Sequence, residues 1–146
     1  MRVYPDTNVW LYALERHEPF NTVAEALLAA LIRGPHQIVS SPLVVGELLV
    51  LPRRTGDHFI EASYRHFFSH SRIMMVTDIR SIAAPFADAR AHSGLTSADA
   101  LHIAAATVAN ADVFVTEDRK LLSKKLSGIA RTLSIQQTLT LLQGQP

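Results

Sequence analysis

At 146 residues the chain has room for one domain that buries roughly 68–70% of its unfolded surface. Hydrophobic residues make up 48% and cysteine is absent, so a core is available while disulfides and cysteine-ligated zinc are excluded. Fourteen basic against 13 acidic residues leave a net charge of +1, which confines any nucleic-acid footprint to a local patch. The segment 1–6 has no apolar run suited to a signal peptide. The longest apolar stretch, 23–32, contains Glu25 and is about half a membrane span, so the expected protein is soluble and cytoplasmic.

In chain order, residues 2–5 read as a strand, ended by Asp6-Thr7-Asn8, and 9–14 begin a helix. Thr22 and Glu25 have the spacing of a capping box for a helix over 23–33, which Gly34-Pro35 stops. A second strand over 37–40 leads to Ser41 as N-cap and Pro42 at the first helical position. A helix over 57–69 precedes a third strand over 73–77, with Asp78 as the next N-cap. The pattern over 80–93 is helical up to Gly94, and Pro85 should kink that helix or mark its start. Thr96 caps the helix carrying Asp99. A fourth strand over 112–116, a helix over 119–126, a fifth strand over 132–135 and a short last helix complete the chain. Strand and helix alternate throughout, with no repeat, linker or low-complexity segment. This predicts a single domain over 1–146 of α/β class, with a parallel sheet covered by helices on both faces.

Four carboxylates, Asp6, Glu47, Asp99 and Asp118, each sit just past a short apolar run or near the start of the helix after it. Parallel sheets gather such positions at one rim, where ligands bind. Glu47 and Asp99 are the only formal charges in their apolar helical stretches, 42–51 and 97–106. Singly, each acid has a plain explanation: Asp6 and Asp118 as caps, Asp99 as the capping partner of Thr96, Glu47 as a solvent-facing side chain. Together, four acids converging on one cleft predict a site for a divalent cation, because unpaired buried carboxylates are costly. Asp78 follows an edge strand and reads only as a cap, and Glu117 reads as solvated.

These residues carry a resemblance. Asp6-Thr7-Asn8 after the first strand, Pro42…Gly46-Glu47-Leu48, Ser97-Ala98-Asp99-Ala100-Leu101-His102 and Thr116-Glu117-Asp118 followed by Leu121 resemble the PIN-domain ribonucleases, most of all the bacterial toxins of VapC type. Each motif alone is common, whereas the ordered set, spanning nearly the whole chain, is specific. The resemblance implies a five-stranded parallel sheet in the order 3-2-1-4-5, with its switch point between the first and fourth strands. It implies a metal-dependent endoribonuclease that hydrolyses RNA phosphodiester bonds, a homodimer, and an antitoxin that blocks the acidic cleft. Under that reading Asp6 and Asp99 are the principal ligands of one or two Mg²⁺ or Mn²⁺ ions. Glu47 and Asp118 complete the site, and Asn8 and Thr116 hydrogen-bond ligands, water or phosphate.

Arg119, Lys120, Lys124 and Lys125 start directly after Asp118 and suit RNA phosphates, as do Arg53 and Arg54 beyond the Glu47 helix. The apolar stretch 23–32 has more hydrophobic surface than one sheet face requires, leaving part of it for another chain. His58, His66 and His70 share a helix side without the spacing of a zinc protease, and His102 reads as packed or hydrogen-bonded. The alternative function is a non-cleaving PIN-like module that binds RNA or protein, against which the full set of four acids argues. A dehalogenase-like phosphatase would need Asp where Asn8 stands, and a receiver domain would need paired acids beside the first strand and a lysine after the last.

Overall fold

Val3, Tyr4 and Pro5 are buried in succession, as in a strand covered on both faces, and they form the centre of the sheet. The computed structural model describes residues 1–70 and 72–144, so positions 71, 145 and 146 of the expected 1–146 domain lie outside it. The described residues form β1 (Arg2–Pro5), α1 (Thr7–Leu14), α2 (Asn21–Arg33), β2 (Gln37–Ser40), α3 (Pro42–Thr55), α4 (His58–Phe68) and β3 (Ile73–Met75). They continue with α5 (Ile79–Ser93), α6 (Ser97–Val108), β4 (Val113–Val115), α7 (Arg119–Leu122), β5 (Arg131–Leu133) and α8 (Ile135–Gln143). All pairings are parallel and the sheet order is β3-β2-β1-β4-β5, the order that the resemblance implies. Val3 stands opposite Ile38 on one side and Val113 on the other. The chain leaves β1 in one direction through β2 and β3, then returns to its other side with β4. The crevice above β1 and β4 is therefore the topological switch point.

The helices pack in two groups: α1 and α2 with α8, and α5 with α6, while α3 touches both α1 and α6. Trp10 of α1 is fully buried, its ring edge-on to Phe67 and Phe68 of α4, and its Nε1–H donates to the Pro5 carbonyl at 3.2 Å. Tyr4 stacks on Phe114 across the β1–β4 pair at 5.5 Å between ring centres. The Tyr4–Phe114 stack joins the two strands of the switch point, and Trp10 ties β1 to α1 and α4.

Four local expectations change. The Thr22–Glu25 capping box is not formed: α2 begins at Asn21 after Phe20, with no side-chain cap, and Glu25 pairs with Arg16 at 3.1 Å. Of the two readings of Pro85, the one in which it marks the helix start is overturned: α5 runs from its Asp78 cap to Gly94 with Pro85 inside it. The carbonyl deprived of its partner is that of Ser81, an exposed residue that water can satisfy. The helix after Asp118 stops at Leu122. The fifth strand ends at Leu133, because Ser134 and Gln137 make a reciprocal capping box that starts α8 at Ile135.

Candidate functional site: an acidic cleft

Asp6 follows β1, where its backbone N–H donates to the Val115 carbonyl at 3.0 Å and fixes it beside β4. Its side chain caps α1, Oδ1 accepting from the Val9 N–H at 3.0 Å, and the residue is only 7% exposed. Burial pushes the Asp6 carboxyl above the usual carboxylate range, opposed by the Thr116 hydroxyl and the Val9 and Asn8 N–H groups. Thr116, buried at the end of β4, also accepts from the Asp118 N–H at 3.0 Å, so one hydroxyl links the two strand-end acids. Asp118 in turn caps α7, accepting from the Lys120 N–H at 2.7 Å.

Asp99 stands at the third position of α6. The Thr96 hydroxyl donates to its Oδ2 at 2.7 Å and accepts from its N–H at 3.2 Å. Glu47, in the second turn of α3, reaches across to α6 and α1, where its Oε2 meets His102 Nε2 at 3.0 Å and the Thr7 hydroxyl. The His102 hydrogen bond, with that of Thr7, holds the Glu47 carboxyl below its ordinary range against the opposing effect of burial. A hollow of about 250 Å³ is lined by Asp6, Glu47, Asp99 and Asp118 together, with Asn8 exposed at its rim and His102 in its wall. The expected quartet thus shares one cleft; Asp6 and Asp118 also cap helices, whereas the Asp99 carboxylate takes the Thr96 hydroxyl instead of closing a capping box.

Every acid donor in this cleft is an oxygen, the preference of hard cations such as Mg²⁺ and Mn²⁺. Asp6 forms no ion pair among the described residues, and its desolvated charge is offset by hydrogen bonds from Thr116, Val9 and Asn8 and by the nearby His102 ring. The donor chemistry fits a divalent ion on these grounds. The arrangement itself is open: among the described residues no group of three or more His, Asp or Glu side chains stands ready to hold a metal.

His102 is packed and hydrogen-bonded, as its sequence setting implies, whereas Thr7 in the cleft wall and Tyr4 buried behind it receive no role of their own from the sequence. His102 had one signal, its position three residues after Asp99 and so on the same helix side. Thr7 and Tyr4 had none, because their partners lie on other elements. Glu117, half-buried, accepts from the Ile135 N–H at 2.8 Å and steadies the start of α8.

The flanking surfaces divide as follows. Arg53 is held by Glu61 at 2.9 Å, and Lys124 Nζ donates to the Ser93 carbonyl at 2.6 Å. Arg54, Arg119, Lys120 and Lys125 are exposed and in no ion pair among the described residues. The 23–32 stretch spends Ala24, Leu27, Leu28 and Leu31 on the core. Exposed apolar surface lies elsewhere, with Phe59 82% exposed and Val50, Leu51 and Ile60 near it in the chain. A hollow of about 660 Å³ between α1, α3 and α4 is lined by Leu14, Leu51, Phe59, Ile60, Tyr64 and Phe67. A smaller one shares Leu51 with it, and shares Leu11 and Glu47 with the acidic cleft. A separate apolar hollow lies between Leu43, Ile79, Ile82 and Leu101. Among the described residues no helix is long and apolar enough to cross a membrane.

A family model described as PIN domain matches residues 3–125. Among solved structures, a Rickettsia felis VapBC2 complex bound to a promoter DNA fragment is similar, at 20% identity and TM-score 0.68, over 92% of this chain and 98% of that one. A toxin–antitoxin complex from Klebsiella pneumoniae is similar at 20% identity and TM-score 0.65, over 91% and 97%. Mycobacterium tuberculosis VapC20, described as a sarcin-ricin loop cleaving toxin, aligns at 17% identity and TM-score 0.62, over 82% and 92%. Among curated proteins nothing matches the sequence.

Proposed function

This chain belongs to the PIN domain family, and on that premise we propose that it is a metal-dependent endoribonuclease, one nuclease domain over 1–146, held in check by an antitoxin. The observation that carries this reading is the convergence of Asp6, Glu47, Asp99 and Asp118 on one hollow at the β1–β4 switch point. The non-cleaving alternative has no such support, since none of the four acids is missing. Similarity to a toxin–antitoxin complex supports the antitoxin, and similarity to a sarcin-ricin loop cleaving toxin supports an RNA substrate, for which we propose a cytoplasmic setting.

Asp6 and Asp99 would hold the ion, with Glu47 and Asp118 completing one or two positions. When bound, Mg²⁺ or Mn²⁺ supplies an activated water and neutralises phosphate oxygens. The chain's own groups prepare for this. Thr116 and the Val9 N–H orient Asp6; Thr96 orients Asp99. Asn8 at the rim offers its amide to a phosphate, and Arg54, Arg119, Lys120 and Lys125, flanked by Arg53 and Lys124, draw in the RNA backbone. Phosphate contacts of this kind position the strand and carry no sequence information.

For the antitoxin we assign the groove of Phe59, Ile60 and Leu51 rather than α2, whose leucines are spent on the core, because its hollows lead through shared residues to Glu47. A segment seated there ends at the acidic cleft and blocks it. The hollow around Ile79 and Leu101 is assigned to a second copy of the chain, giving a homodimer. The deciding experiment is RNA cleavage by the purified chain with Mn²⁺, with EDTA, and in the variants Asp6→Asn and Asp99→Asn. Cleavage that survives EDTA, or either variant with wild-type activity, overturns this assignment.

A further inference from the structure

Behind the cleft, four elements contribute to a continuous chain of buried polar groups. His102 of α6 and Thr7 of α1 are buried, Tyr4 of β1 is fully so, and Ser41 at the head of α3 is 2% exposed. Ser41 Oγ lies 2.8 Å from the Tyr4 hydroxyl, which lies 3.1 Å from His102 Nδ1. The opposite ring nitrogen, Nε2, meets Glu47 Oε2 at 3.0 Å. Ser41 occupies the N-cap position of α3 yet makes no capping hydrogen bond there, its hydroxyl being turned to Tyr4 instead.

The donor directions follow from the inventory of groups. An ionised Glu47 only accepts, so Nε2 carries the hydrogen between them. In a neutral imidazole Nδ1 is then an acceptor, and the group facing it is the Tyr4 hydroxyl. That hydroxyl donates to Nδ1 and takes its own hydrogen bond from Ser41. The Thr7 hydroxyl donates to the same Glu47 oxygen. Every link has one donor and one acceptor, and the side chain at the open end is the carboxylate in the cleft.

We infer that His102 is a positioning residue, which aims Glu47 into the cleft and is itself locked in orientation by Tyr4 and Ser41. This rests on the reading of the cleft as a metal site. Glu47 is a flexible side chain that is 35% exposed, and freezing it has an entropic cost at the moment an ion binds. Holding it beforehand through His102 and Thr7 removes part of that cost. Groups that orient a ligand in this way commonly change metal affinity by about 10–100-fold when removed.

The test is Mn²⁺ binding to the full chain, measured by calorimetry without RNA. His102→Leu keeps similar bulk and loses the donor; His102→Gln places an amide N–H at a similar reach. The leucine variant is expected to bind Mn²⁺ about 10–100-fold more weakly, and the glutamine variant to recover most of that loss. In a Glu47→Gln background, His102→Leu should cost nothing further, because the two act through one oxygen. Tyr4→Phe should give a smaller loss of the same sign, also absent in that background, and it carries the test if the leucine variant does not fold. Equal losses with and without Glu47, or unchanged binding in both His102→Leu and Tyr4→Phe, overturn the proposal. If Asp6→Asn and Glu47→Gln both bind Mn²⁺ as wild type does, the metal reading fails and this inference with it. Loss in Asp6→Asn with none in the His102 and Tyr4 variants overturns the positioning role alone.

Discussion

Replacing Asp6 separates its charge from its hydrogen bonds, since asparagine caps a helix as well as aspartate does whereas alanine does not. Asp6 is 7% exposed, and burial raises its carboxyl pKa in the fold. A raised folded-state value means the proton favours the folded form. The group is therefore least costly below its ordinary range, and the metal-free fold weakens as pH rises through the raised value. Asp6→Asn lacks this dependence. Without metal at neutral pH it should melt above wild type, and the gap should close on acidification. Asp6→Ala loses the cap to the Val9 N–H and should lie about 1 kcal/mol below Asp6→Asn. For 146 residues the unfolding entropy is about 0.3 kcal/mol/K, so that difference is about 3 °C in Tm. Mn²⁺ at about 100 times its Kd should stabilise wild type by about 2.7 kcal/mol, about 9 °C, and should leave both variants nearly unmoved. The assay is thermal unfolding by circular dichroism across pH, with and without MnCl₂. A metal-free Asp6→Asn that melts below wild type at neutral pH would show that the buried charge is not destabilising, and a variant that gains the full Mn²⁺ shift would show that Asp6 does not hold the ion.

Trp10→Ala should cost about 3–5 kcal/mol, or about 10–16 °C in Tm, because the ring is fully buried against Phe67 and Phe68; a smaller loss in chemical denaturation would mean the site collapses around the cavity. Phe59→Ser, at an exposed position, should change stability by no more than about 0.5 kcal/mol and leave RNA cleavage intact, while weakening antitoxin binding about tenfold or more in a pull-down titration. Lys125→Ala should shallow the salt dependence of RNA affinity by about 0.7 in log–log slope, the share of one phosphate contact on a single strand. Lys124→Ala should also lower Tm, since Lys124 ties α7 to the end of α5 through the Ser93 carbonyl; RNA affinity over a salt series beside thermal melts separates the two.

The alternation of strand and helix was legible in the chain because each element is specified within a few residues. The buried run of β1, the turn at Gly34-Pro35, and the caps Asp78 and Thr96 all act locally. So was the placement of Asp6 and Asp118 at strand ends, which a parallel sheet brings to one rim, and of Glu47 and Asp99 near the starts of their helices. Local signals also misled. Thr22 and Glu25 had the right spacing for a cap, but Arg16, brought near by the loop before α2, took Glu25 instead. Ser41 stood where a cap belongs and turned to Tyr4. The polar chain behind Glu47 lay beyond the reach of any local pattern. Ser41 and Tyr4 are 37 positions apart, Tyr4 and His102 98, and His102 and Glu47 55. Which side chains meet at such separations is set by strand register and helix packing. Burial also favours the pairing of the Tyr4 and Ser41 hydroxyls across such separations, since an unpaired polar group in the core is costly.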